Sequence, residues 1–133
     1  MSNQPLDLSG VWHGQFSYPR AGRDPVSFVA TLDERAGAVV GDCEEVGAVA
    51  EAKGQTLTAT LQGRRSDREL TFLKLYDGDN SRYDTVQYEG EVSEDGSEIV
   101  GRWTVPGSWS GDFMMIRASN APLALLRAAE AAV

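Results

Sequence analysis

The chain has 133 residues, with 12 Lys and Arg against 20 Asp and Glu, giving a formal net charge of −8. That length supports one domain around a single core. An acidic surface repels phosphate backbones and anionic headgroups, so neither nucleic acid nor a membrane is an expected partner.

Cys43 is the lone cysteine, which leaves no intramolecular disulfide. The N-terminus has no basic-then-apolar leader, and no stretch reaches the roughly 20 apolar residues of a membrane helix. The expectation is a cytoplasmic protein.

Residues 1–7 read as a flexible lead-in. A first strand is predicted from Leu8 to Tyr18, with Trp12, Gly14, Phe16 and Tyr18 on one face, because strand side chains alternate with period two. Pro19 to Pro25 is a turn. The second strand, Val26 to Glu34, turns Val26, Phe28, Ala30 and Leu32 inward and Val29 outward. A hairpin turn at Arg35-Ala36-Gly37 leads to a weaker strand, Ala38 to Cys43.

Glu44 to Lys53 has no clear pattern, and Glu44-Glu45 reads as a surface acid pair. Thr56 to Leu61 alternates cleanly, with Leu57, Ala59 and Leu61 inward. Arg64, Arg65 and Arg68, interrupted by Asp67 and Glu69, read as a solvated turn. From Glu69 to Tyr76 two registers compete, one placing Leu70, Phe72, Lys74 and Tyr76 inside, the other Thr71, Leu73 and Leu75.

A turn at Asp77 to Ser81 precedes a strand from Asp84 to Val92, and Glu94-Asp95-Gly96 is a hairpin signal. Ile99 to Val105 and Trp109 to Arg117 are the last strands, joined by Pro106-Gly107-Ser108. Asn120 and Pro122 then suit the start of a helix over Leu123 to Val133, expected to dock on the strands.

About eight short strands joined by tight turns predict an all-β, antiparallel up-and-down barrel over residues 8–118, followed by a helical segment over 119–133. Mid-strand glycines at 14, 90, 101 and 111 favour closure, since a curled strand needs places without a Cβ on its concave face.

Gly10-Val11-Trp12 resembles the G-x-W signature opening the first strand of the calycin group: lipocalins, fatty-acid-binding proteins and avidin-like barrels. The resemblance implies that Trp12 closes one barrel end, packed under a basic residue of the last strand, with Arg117 where that partner is expected and Gly14 easing the curl. Gly10-x-Trp12-x-Gly14 is also similar to the opening of the nitrobindin group of haem-binding barrels. That group ligates iron through a histidine near the C-terminus. Here the single histidine is His13, so haem does not carry over and no cofactor is implied.

His13 is turned outward and stands alone, which supports neither a hydrolytic triad nor, with one cysteine, a zinc site. Asp77-Gly78-Asp79 begins like a calcium loop, but Arg82 and Tyr88 occupy the positions that need glycine and glutamate. No catalytic residue and no metal ligand is assigned.

The candidate ligand-binding residues are Lys74, Tyr76, Tyr88, Trp103 and Trp109, all placed inward. A lysine inside a barrel is costly unless paired. It meets an anionic ligand head, as fatty-acid-binding relatives do with Arg and Tyr, or snorkels to the mouth.

The leading expectation is a non-enzymatic barrel binding a small, partly apolar molecule, an anionic one included. The alternative is a filled barrel that assembles, as a homodimer for instance, through Val11, Val29, Leu73, Met114, Ile116 and the C-terminal helix. A third reading is an enzyme using a lysine of depressed pKa with tyrosines as acid and base.

Overall fold

The computed structural model describes residues 6–19, 24–46, 56–77 and 85–118. It contains β1 (Gly10–Phe16), β2 (Val26–Arg35), β3 (Ala38–Val46), β4 (Thr56–Ser66), β5 (Glu69–Tyr76), β6 (Val86–Val92), β7 (Glu98–Val105) and β8 (Trp109–Arg117). Each strand pairs antiparallel with the next, and β1 returns to β8, closing an eight-stranded barrel.

Alternation is the cause. In β2, Val26, Phe28, Ala30 and Leu32 are buried while Ser27, Val29, Thr31 and Asp33 are exposed. The same period runs through β5, where Leu70, Phe72 and Lys74 point inward and Thr71, Leu73 and Leu75 outward. That settles the register the sequence left open, in pairing with Gly63 and Leu61 of β4 and with Gly90, Tyr88 and Val86 of β6. Ala36 and Gly37 both have positive φ, 51° and 85°, the geometry of a two-residue hairpin whose twist matches its strands.

Curvature uses the glycines as contact points. A Cβ on Gly14 would lie 2.2 Å from the Phe28 ring, which fills the space over it. At Gly101 it would lie 1.9 Å from the Glu89 carbonyl, since β6 and β7 approach closely there.

Several expectations change. β3 runs on to Val46 and β4 to Ser66. Glu45 is therefore an inward strand residue and not half of a surface acid pair; the alternation of Val39 and Cys43, both buried, continues through it. Arg64 and Arg65 lie in a strand instead of a solvated turn, and Arg65 is half-buried, paired with Glu34. Ile116, placed opposite His13 and Glu98, is 1% exposed and so forms no part of an exposed apolar face, unlike Val11, Val29 and Leu73. Leu6 and Asp7 are tied to the barrel by hydrogen bonds, so the end of the lead-in is held. The turn over 78–81, residues 47–53 and the C-terminal helix over 119–133 lie outside the described residues.

Candidate functional site

The barrel's two ends are built differently. At the end where β1 starts, Leu6 to Ser9 crosses the opening. Trp12 is fully buried and its indole N–H donates to the Leu8 carbonyl at 2.9 Å. Arg117, its register partner, lies with its guanidinium 4.5 Å from the centre of the indole and donates to the carbonyls of Asp7, Ser9 and Gly96. Beside it, Arg65 donates to both carboxylate oxygens of Glu34 at 2.6–2.9 Å and to the Leu6 carbonyl at 2.6 Å. Glu34 in turn accepts from the Leu8 amide. These bonds bind the crossing segment to β2, β4 and β8, and the Arg65 hydrogen bonds hold the Glu34 carboxyl below its usual range.

Toward the opposite end, β3 and β5 bring together charges far apart in sequence. Lys74 Nζ donates to Glu45 Oε2 at 2.8 Å, with the two side chains 2% and 4% exposed. Tyr76 donates its hydroxyl to Glu45 Oε1 at 2.5 Å. Tyr88 faces Lys74 from β6. Around the ammonium stand aromatic rings: Phe16 at 4.6 Å from its centre, Tyr76 at 5.0 Å, Tyr88 at 5.3 Å and Phe28 at 5.8 Å. An ammonium against ring faces gains from their quadrupoles, most of all away from water.

Titration follows from burial. Desolvation alone would lower Lys74, but the acidic groups facing it, Tyr88, Glu45, Tyr76 and Cys43, outweigh it and hold the ammonium well above its ordinary value. Desolvation pushes the Tyr76 and Tyr88 phenols up, against the pull of Lys74. The buried Cys43 thiol is pushed up to about 12, again mainly by desolvation. Lys74 therefore keeps its proton, and the lysine of depressed pKa needed for acid–base catalysis is not what this site contains.

Of the five candidates, Lys74, Tyr76 and Tyr88 meet in this cluster. Trp103 and Trp109 stand next to it, linked through Phe16. Phe16 packs edge-on to Trp103 at 6.1 Å, and Trp103 edge-on to Trp109 at 5.6 Å. Trp103 donates its indole N–H to the Ser17 carbonyl at 2.9 Å. Tyr88 also stacks flat on Phe72 at 4.7 Å, which joins the polar cluster to the apolar layer beneath it. Sequence reasoning missed Glu45, Cys43, Phe16 and Phe28 as members. A separate shallow depression of about 220 Å3 lies outside β4–β6 among Gln62, Arg64, Thr71, Leu73, Gln87 and Glu89. Those side chains point away from Lys74.

The fold defines the class: a small, closed, antiparallel eight-stranded β-barrel. No family model matches the chain and no curated protein matches it. Among solved structures, it is similar to a designed protein described as a de novo fluorescence-activating β-barrel. The likeness has a TM-score of 0.58 and 11% identity, over 88% of this chain and 99% of that one. At that identity the likeness is one of fold.

Proposed function

We propose that this protein is a non-enzymatic barrel that binds a small, partly apolar molecule at the end holding Glu45, Lys74, Tyr76 and Tyr88. The observation that carries this reading is an ion pair buried among aromatic rings, opposite an end sealed by its own bonded segment. Stability alone gives little reason for such a pair, since well-packed apolar residues in its place are commonly as stable or more so. A polar group inside an otherwise apolar wall is, in contrast, how binding sites fix a ligand's orientation.

The calycin resemblance points the same way, as does the likeness in fold to a barrel described as fluorescence-activating. A barrel of eight strands has room for one small ligand at most. Trp103 and Trp109 supply the apolar wall beside the cluster.

Native mass spectrometry of freshly purified protein tests this directly. A small molecule released on unfolding, or one-to-one quenching of tryptophan fluorescence by apolar aromatic probes, supports it. Failure of every probe to bind below millimolar concentration, with no co-purified mass, refutes it.

A further inference from the structure

Resting on that reading, we infer that the ligand is electrically neutral and carries a hydrogen-bond donor, such as a phenol, an amide or a lactam N–H, which it gives to Glu45. Among the described residues, Lys74 and Glu45 are the buried charged side chains, and they are partnered with each other. The described part of the lining therefore carries no net charge.

An incoming anion finds the lysine already committed 2.8 Å from a carboxylate, which repels the newcomer. An incoming cation meets the ammonium in the same way. A neutral molecule meets neither cost. This departs from the anionic ligand that a lysine in this position suggested before its partner was known.

Hydrogen-bond capacity fixes the second half of the inference. Lys74 gives one bond to Glu45 and sets its ammonium against the rings of Phe16, Tyr76 and Tyr88, so its donors are directed at the carboxylate and at ring faces. The Glu45 carboxylate accepts from Lys74 and Tyr76. A carboxylate has about four acceptor sites, so it retains capacity for a further donor. The surplus at this site is acceptor, and the complementary ligand group is a donor. Its body is flat and apolar, matching the rings of Phe16, Phe28 and Tyr76 around the pair.

The test titrates the full chain at neutral pH with four probes of one shape: naphthalene, 2-naphthol, 2-naphthoate and 2-naphthylmethylammonium. The expected order puts 2-naphthol several-fold tighter than naphthalene and at least about tenfold tighter than either charged probe. Glu45→Gln leaves the lysine unpaired and should raise 2-naphthoate affinity at least about tenfold over the unaltered chain. The uncharged double variant Lys74→Met with Glu45→Leu should bind naphthalene and 2-naphthol equally, and it serves where the single variant does not fold.

If 2-naphthoate binds the unaltered chain as tightly as 2-naphthol, or 2-naphthol gains nothing over naphthalene, the inference is overturned while the binding function stands. If none of the four binds, the proposed function itself falls.

Discussion

Replacing Lys74 by methionine removes the ammonium from a site where its side chain is 2% exposed and leaves the Glu45 carboxylate, 4% exposed, without its ion partner. An uncompensated buried charge costs about 3–5 kcal/mol, and Glu45→Leu should cost as much by stranding the lysine. For a chain of this length that is a fall in Tm of about 10–20 °C. The double variant strands neither charge. It should lie within about 1–2 kcal/mol of the unaltered protein or exceed it, because two desolvation costs disappear together.

Urea unfolding of all four proteins closes a double-mutant cycle, with an expected coupling energy of at least about 3 kcal/mol. If each single change costs under about 1 kcal/mol, the pair is not buried as the structure has it. If the double change costs the sum of the single ones, Lys74 and Glu45 do not act on each other.

Alkali should destabilise the fold. Lys74, Tyr76, Tyr88 and Cys43 are all held above their ordinary values. The folded chain thus keeps protons that the unfolded chain releases. Their stabilisation is complete below the unfolded values, from the thiol's upward, and is lost as pH rises through the alkaline range. The unfolding free energy from urea titration should fall between neutral pH and strongly basic solution by up to about 1.4 kcal/mol per pH unit for each group in its window; a flat profile refutes the burial argument. Arg65→Met strands Glu34 and frees the Leu6 carbonyl, and should cost about 2–4 kcal/mol with faster amide exchange at Leu8, read by NMR. Glu34 has the opposite sign: its depressed value gives stability above the ordinary carboxylate range that is lost as pH falls, and the Arg65 variant should lose that acid dependence. Gly101→Ala drives a Cβ to 1.9 Å from the Glu89 backbone oxygen and should cost about 3 kcal/mol or more by thermal melting.

The barrel was legible because its evidence is local and repeated: alternation within each strand, and turn residues between strands. The site was legible only on one side. Lys74 announced itself as a charge on an apolar face, but nothing within β5 says which partner makes it tolerable. That partner lies 29 residues earlier. Glu44-Glu45 looked solvent-facing because two adjacent acids hide the fact that a strand sends neighbours to opposite sides. Carrying the parity of Val39, Gly41 and Cys43 two residues further would have put Glu45 inside. Arg65 was lost for a similar reason: its neighbours Arg64 and Arg68 made it look like one of a charged cluster, when strand parity separates it from Arg64.

Two ion pairs, one half-buried and one buried, show why one end reads as scaffold and the other as site. Arg65 commits its guanidinium to backbone as well as to Glu34, donating to the carbonyls of Leu6 and Asp67, while Glu34 accepts from the Leu8 amide. Take that pair away and a chain segment loses its anchor. Lys74 and Glu45 bond, in their side chains, only to other side chains among the described residues. No backbone path depends on them, since β3 and β5 are each held by ladders to β4 between them. A charge pair on which no backbone segment relies can be altered, or engaged by a ligand, without rebuilding the barrel. The fold and the recognition of a guest are thereby separable, and the double variant at Lys74 and Glu45 is where that separation is measured.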